Sequence, residues 1–129
     1  MDCSCDYDPP EWSRADIVRA RKVHRCEECR GVIRAGEKYE YAVGKFEGDI
    51  YQSRTCELCV NLRVWVRNNV PCLCWAHGNA DDDMANAIAE ATFRAPAETT
   101  GLHFGFLRRK VLRDRHNAAR RAEAAMGGE

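Results

Sequence analysis

Eight cysteines set in four close pairs are the residues whose types and spacing could do chemistry in this chain. Cys26 and Cys29 form one CxxC pair and Cys56 and Cys59 a second, with 26 residues between the two. A CxxC turn presents two thiolates to one ion, so two such turns brought together supply the four sulfurs of a closed tetrahedral zinc site. Buried thiols or another metal are the competing readings of the same residues. The remaining cysteines are spaced more tightly, as CxC: Cys3 with Cys5, and Cys72 with Cys74. Brought together they would complete a second four-sulfur shell, with His77 as a competing ligand. The blander reading leaves Cys3 and Cys5 in loose chain and makes Cys72 and Cys74 small buried hydrophobes beside Trp75. Two zinc ions are expected on the first reading of both sets, and one at minimum.

The elements that must position these sulfurs follow from the residues around them. CEECRG reads as a zinc knuckle, a turn whose backbone amides point at the sulfurs, with Gly31 able to take the positive φ such a turn often requires. EKYEYAV and DIYQSRT then flank GKFEG, which suits a β-hairpin. In CELCVNLRVWVRNNV, Leu58, Leu62, Trp65 and Asn69 fall at helical spacing with Val66 beside them, which sets Cys56 and Cys59 at the entrance to a helix. Asp6 to Pro10 is irregular because of its consecutive prolines, and Ala15 to His24 suits either a helix or an extended arm. The order of knuckle, hairpin and helix predicts an α+β fold with a small zinc-stabilised, treble-clef-like body. That body, with its N-terminal arm, spans residues 1–78, and a helical region packed on it or extending from it spans 79–129.

In the helical region, DDDMANAIAEATFR opens with aspartates suited to an N-cap and first turn and places Met84, Ile88 and Ala91 on one face. Three aspartates in a row could imitate an acidic metal site, but on a helix they point in different directions. After the APAETTG loop a last helix is expected, with Leu107, Val111, Ala118 and Ala122 as its packed apolar stripe and a basic opposite face.

Length and composition bound what such a body can be. The 129 residues make one domain, or one small domain with an appendage, and 31% charged residues are ordinary for a folded soluble protein. The acidic start MDCSCDYDPPEW is unlike a signal peptide, and no apolar run approaches the roughly 18 residues of a membrane helix, so a cytoplasmic location and no membrane partner are expected. In a reducing compartment the cysteines are expected as thiols or metal ligands rather than disulfides. The formal charge of zero conceals a split: 13 basic and 17 acidic residues in 1–104 against 7 basic and 3 acidic in 105–129. Two four-thiolate zinc sites would make the body more acidic still, to about −8, which weakens general nucleic-acid affinity there. Lys22, Arg25, Arg30 and Arg54 cluster around the first cysteine set and read as an offset to its charge. His24 reads as a packed ring or an outer donor to the site, and His103 and His116 have no partner by spacing.

CSCDYDPPEW, ARKVHRCEEC, GVIRAGEKYEYAVGKFEGD, TCELC, VPCLCWAHGN and LHFGFLRRKV together resemble a group of small zinc-finger-like proteins of phages and prophages of Gram-negative bacteria. The resemblance runs to about residue 113 and implies a phage-encoded accessory protein, working in the bacterial cytoplasm, without naming a reaction. Three function classes follow. The first binds a host or phage protein and alters its activity. The second binds nucleic acid through the basic segment 105–125. The third is an HNH-like nuclease, for which closed cysteine shells and the isolated His77 leave no vacant metal position. No catalytic residue is assigned.

Overall fold

The computed structural model describes residue 5, residue 7 and residues 9–127. In chain order its elements are β1 (Trp12–Arg19), β2 (His24–Arg25), β3 (Val32–Ile33), β4 (Lys38–Phe46), β5 (Asp49–Cys56), α1 (Glu57–Asn69), α2 (Ala80–Arg94) and α3 (Leu102–Gly127). The α+β class stands, built from small antiparallel sheets and three helices. Ala15 to His24 is extended chain: β1 runs beside β4, and the larger sheet has the order β1-β4-β5. The short β2-β3 ribbon is separate and carries the CEECRG turn between its strands.

The β4-β5 hairpin turns on two residues. Phe46 pairs with Asp49, leaving Glu47 (φ 50°) and Gly48 (φ 86°) as a left-handed pair whose twist matches that of the strands. Gly44, expected in the loop, is instead inside β4, where the ring of its cross-strand partner Tyr51 occupies the space a side chain would need. Side chains alternate across this sheet. Glu40 reaches Arg63 of α1, and Ala42, Ser53 and Thr55 are buried on the same face; Tyr39 and Tyr41 on the other pack with Cys26 and Cys59.

Two buried clusters result. The larger is helical: Leu62 and Val66 of α1, Met84 and Ile88 of α2, and Leu102 and Phe106 of α3. The smaller consists of Ala20, Ile33 and Tyr39 with Cys26 and Cys59. Helix α1 borders both, and the face it buries is Cys59, Leu62, Arg63 and Val66 rather than the Leu58, Leu62, Trp65, Asn69 row, with Leu58 and Asn69 exposed. Arg63 is buried there because it bonds Glu40 and lies over Trp75, 4.1 Å from the ring centre. On α2 the expected face of Met84, Ile88 and Ala91 is the buried one.

For α3 the expectation is reversed. Leu107, Val111, Ala118 and Ala122 face outward, and the side turned to the body carries Leu102, Phe106, Arg113 and Asn117. Apolar periodicity alone cannot find a packed face whose distal half is polar. Ile88→Ala should therefore cost about 2–5 kcal/mol of stability, as buried aliphatic truncations do, whereas Val111→Ala should stay within about 0.5 kcal/mol. Urea unfolding of the two variants decides it, and similar losses would return Val111 to the packed side.

Candidate metal centre

The knuckle is built by backbone bonds before any sulfur is considered. Cys26 N donates to Gly31 O at 2.9 Å and Arg30 N to Cys26 O at 3.0 Å, which close the turn. The freed amides then point inward: Glu28 N and Cys56 N donate to Cys26 Sγ at 3.4 and 3.3 Å, and Gly31 N to Cys29 Sγ at 3.4 Å. The left-handed residue of the turn is Arg30 (φ 63°), not Gly31. Gly31 answers a different need, since the Asn117 side chain of α3 fills the position its Cβ would take.

Cys56 ends β5 and sits at the N-cap of α1, and Cys59 follows in the first helical turn. The strand pair thus returns the second CxxC onto the first. Cys26 Sγ lies 3.8 Å from Cys59 Sγ, and Cys29 Sγ 3.7 Å from Cys56 Sγ. Four sulfurs on a tetrahedron about an ion, with bonds near 2.3 Å, stand about 3.8 Å apart. All four can hold one ion. Cys26 and Cys59 are buried and Cys29 and Cys56 half-buried. Within the set, hydrogen bonds with Cys26, Cys56 and Cys59 lower the pKa of the Cys29 thiol, while those with Cys26, Cys29 and Cys56 raise that of Cys59. A bound dication would displace the protons that remain.

Groups that sequence reading missed surround this cluster. Arg113 of α3, with 4% of its side chain exposed, donates to Cys59 Sγ at 3.6 Å and grips both oxygens of Asp81 at 2.8 Å. Burial opposes its charge, but the Asp81 carboxylate and Cys59 outweigh it and raise its pKa. Among the described residues it is Arg113 that bonds a cluster sulfur, rather than Lys22, Arg25, Arg30 or Arg54. Arg25 bonds the Arg30 carbonyl, and Arg54 lies over Tyr41. His24 packs against Tyr39, its pKa lowered by burial and then by Arg54 and Lys22. Glu28, between the two knuckle cysteines, accepts from Gly78 N and Ala80 N and so closes the start of α2. The aspartates make no side-chain cap: Asp81 holds Arg113, and Asp83 accepts from Tyr7 Oη at 2.8 Å and Ala76 N at 2.9 Å. One turn beyond Asn117, Arg120 bonds Val32 O and Glu37, which holds the Glu37 carboxyl down at about 2. A long helix thus lies across the knuckle through polar side chains at positions 113, 117 and 120.

The second cysteine set is also assembled, in a different state. Cys5 and Cys74 are joined as a disulfide, Cys72 is disulfide-linked too, and Cys3 lies outside the described residues. This corrects the expectation of thiols or metal ligands rather than disulfides, for this set. Sulfurs that converge closely enough to share an ion are also close enough to bond when oxidised, and those of Cys5, Cys72 and Cys74 lie within 4.8 Å of one another, so the reduced form could hold an ion. The link spans 69 residues, for which loop closure contributes about 4 kcal/mol. His77 is not in this group. Its ring stands edge-on to Trp75 at 4.7 Å and tilted to Tyr51 at 6.2 Å, its Nδ1 is buried with no hydrogen-bond partner among the described residues, and burial lowers its pKa.

Two predictions follow from this geometry. The reduced chain should carry two metal ions by native mass spectrometry, and mild peroxide should release one, because Cys5 is exposed whereas Cys26 and Cys59 are buried. Loss of both ions together, or of neither, would contradict separate sites. Gly31→Ala should cost about 1–3 kcal/mol through its clash with Asn117, and Asn117→Ala added to it should recover part of that loss. Strict additivity in thermal melts would mean that α3 does not rest on the knuckle.

No family model, curated protein or solved structure matches the chain, so what the cluster does rests on its own geometry.

Proposed function

We propose that this chain is a zinc-stapled binding module that acts by stoichiometric association with another protein and has no catalytic site. One observation carries the reading: the Cys26, Cys29, Cys56, Cys59 set supplies four sulfurs, the full complement of a tetrahedral ion, and its sulfurs are turned toward one another, toward turn amides and toward Arg113. Such a shell leaves no position for a substrate, so the ion's work is structural. Tetrahedral thiolate coordination suits zinc, and the order of knuckle, hairpin and helix gives it a treble-clef-like frame. The likeness to small phage and prophage proteins makes a host or phage protein the natural partner. Fold alone assigns no function, and the site supports binding over chemistry.

Two observations weigh against the competing classes. His77 packs its ring against Trp75 and Tyr51 and stands outside both cysteine groups, so among the described residues it has no companion ligand with which to form a nuclease site. Of the cations in 105–125, Arg113 and Arg120 bond the body and Arg109 lies 4.1 Å over Trp65. Nucleic-acid binding would fall to Arg108, Lys110, Arg115 and Arg121. The purified chain should leave DNA and RNA uncut in magnesium or manganese and give no salt-steep mobility shift, while zinc-loaded bait should retain one host or phage protein in near-equal amount and chelator-stripped bait should lose it. Cleavage abolished by His77→Ala, or a shift that weakens steeply with salt and is lost in Arg108→Ser/Arg115→Ser, would overturn the proposal.

A further inference from the structure

The apolar stripe of α3 points away from everything the helix packs on. Phe104, Leu107 and Val111 are 70%, 41% and 45% exposed, and Ala118 and Ala122 continue the same line. On a helix these positions lie opposite Leu102, Phe106, Arg113, Asn117 and Arg120, which hold the helix to the body. The stripe runs over about 27 Å, five turns. Lone exposed apolar residues are ordinary; a row of them on one helix face, interrupted here once by Asp114 and Arg115, is the mark of a contact surface.

Charge selects the occupant. Arg108 and Arg115 flank the row closely, with Lys110 and Arg121 at its margin, and none of the four has an ion pair among the described residues. The acids of this helix are already engaged, Asp114 with Arg113 and Glu123 with Arg34. What remains outward is apolar residues edged mainly by positive charge, four cations without an ion pair among the described residues against the one half-exposed carboxylate of Asp114, which Arg113 engages. A second copy would set arginines against arginines, and nucleic acid would have no use for Phe104, Leu107 and Val111.

We propose that this face of α3 receives an amphipathic helix of the partner protein, of about five turns, whose apolar stripe is edged by carboxylates. The proposal rests on the reading of the chain as a protein-binding module and names the surface that reading requires. The zinc cluster then has a clear part in binding. By seating Arg113, Asn117 and Arg120 on the knuckle it holds the stripe straight before the partner arrives, which removes an ordering cost from association.

The test selects from a displayed library of 20-residue helical peptides with randomised stripe and flanks, using the zinc-loaded chain as bait. Enriched peptides should space apolar residues at i, i+3, i+4 and i+7 with Asp or Glu beside them. Their affinity should drop at least about tenfold for Val111→Glu, and about tenfold for Arg108→Glu/Arg115→Glu with a loss of salt dependence. Both variants are outward and should keep their zinc and thermal transition. Enriched peptides that are basic or extended, or that bind Val111→Glu equally well, would overturn the proposal. So would a wild-type dimer in sedimentation that Val111→Glu makes monomeric, which assigns the face to a second copy, or binding to anionic vesicles that Val111→Glu abolishes, which assigns it to membrane. If Val111→Glu bait still retains the host or phage protein in equal amount, this surface is wrong but protein binding stands. If neither bait retains any, the binding reading itself fails.

Discussion

The interaction on which the rest depends is the meeting of two CxxC turns at one point. Around them, the buried apolar groups are Ala20, Ile33 and Tyr39, which with the cysteines themselves complete that cluster. Burying two large side chains contributes a few kcal/mol at about 1.5–3 each, whereas a structural zinc site supplies an apparent 10–16 kcal/mol. An ion bound at the four sulfurs would therefore outweigh the apolar burial in this half of the molecule. The short β2-β3 ribbon, two residues on each strand, has too few hydrogen bonds to persist alone and is held by the sulfurs at its tip.

The helical half is held differently, by an ordinary apolar cluster, and joins the first through polar side chains. Glu28 reaches from the knuckle to the start of α2, Asp81 of α2 holds Arg113 of α3, and Arg113 returns to Cys59. Glu28 is satisfied by backbone amides and Asp81 and Arg113 by each other, so burying these charges is tolerable, and removing Asp81 or Arg113 leaves the other stranded. The chain of contacts ties the distal half of α3 to the cysteine cluster, while Leu102 and Phe106 hold its start in the apolar core. A helix fixed on one side and apolar on the other is an economical way for a small body to present a binding face.

Much of this was legible in the residues. Paired cysteines announce themselves by spacing, and the alternation in β4 and β5 and the 3.6-residue rhythm of α2 are carried by single side chains. What the sequence hid were interactions that depend on tertiary proximity. Arg113 is one of seven cations in its segment and nothing local marks it for burial; only the arrival of Asp81 and Cys59 does. Gly31 looks like a turn glycine, yet its lack of a side chain serves Asn117, 86 positions away. Leu107 and Val111 look like core because apolar residues usually are, and here they are not. The redox state of Cys5 and Cys74 depends on surroundings that no spacing encodes.

The account stands on a closed four-sulfur shell as the structural centre. X-ray absorption at the zinc edge, on the Cys5→Ser/Cys72→Ser/Cys74→Ser variant so that one site remains, reads that shell directly. Four sulfurs at about 2.3 Å and no lighter ligand are expected. A mixed shell with nitrogen or oxygen would open a coordination position and bring chemistry back into consideration, and a folded chain without metal would contradict the account at its root.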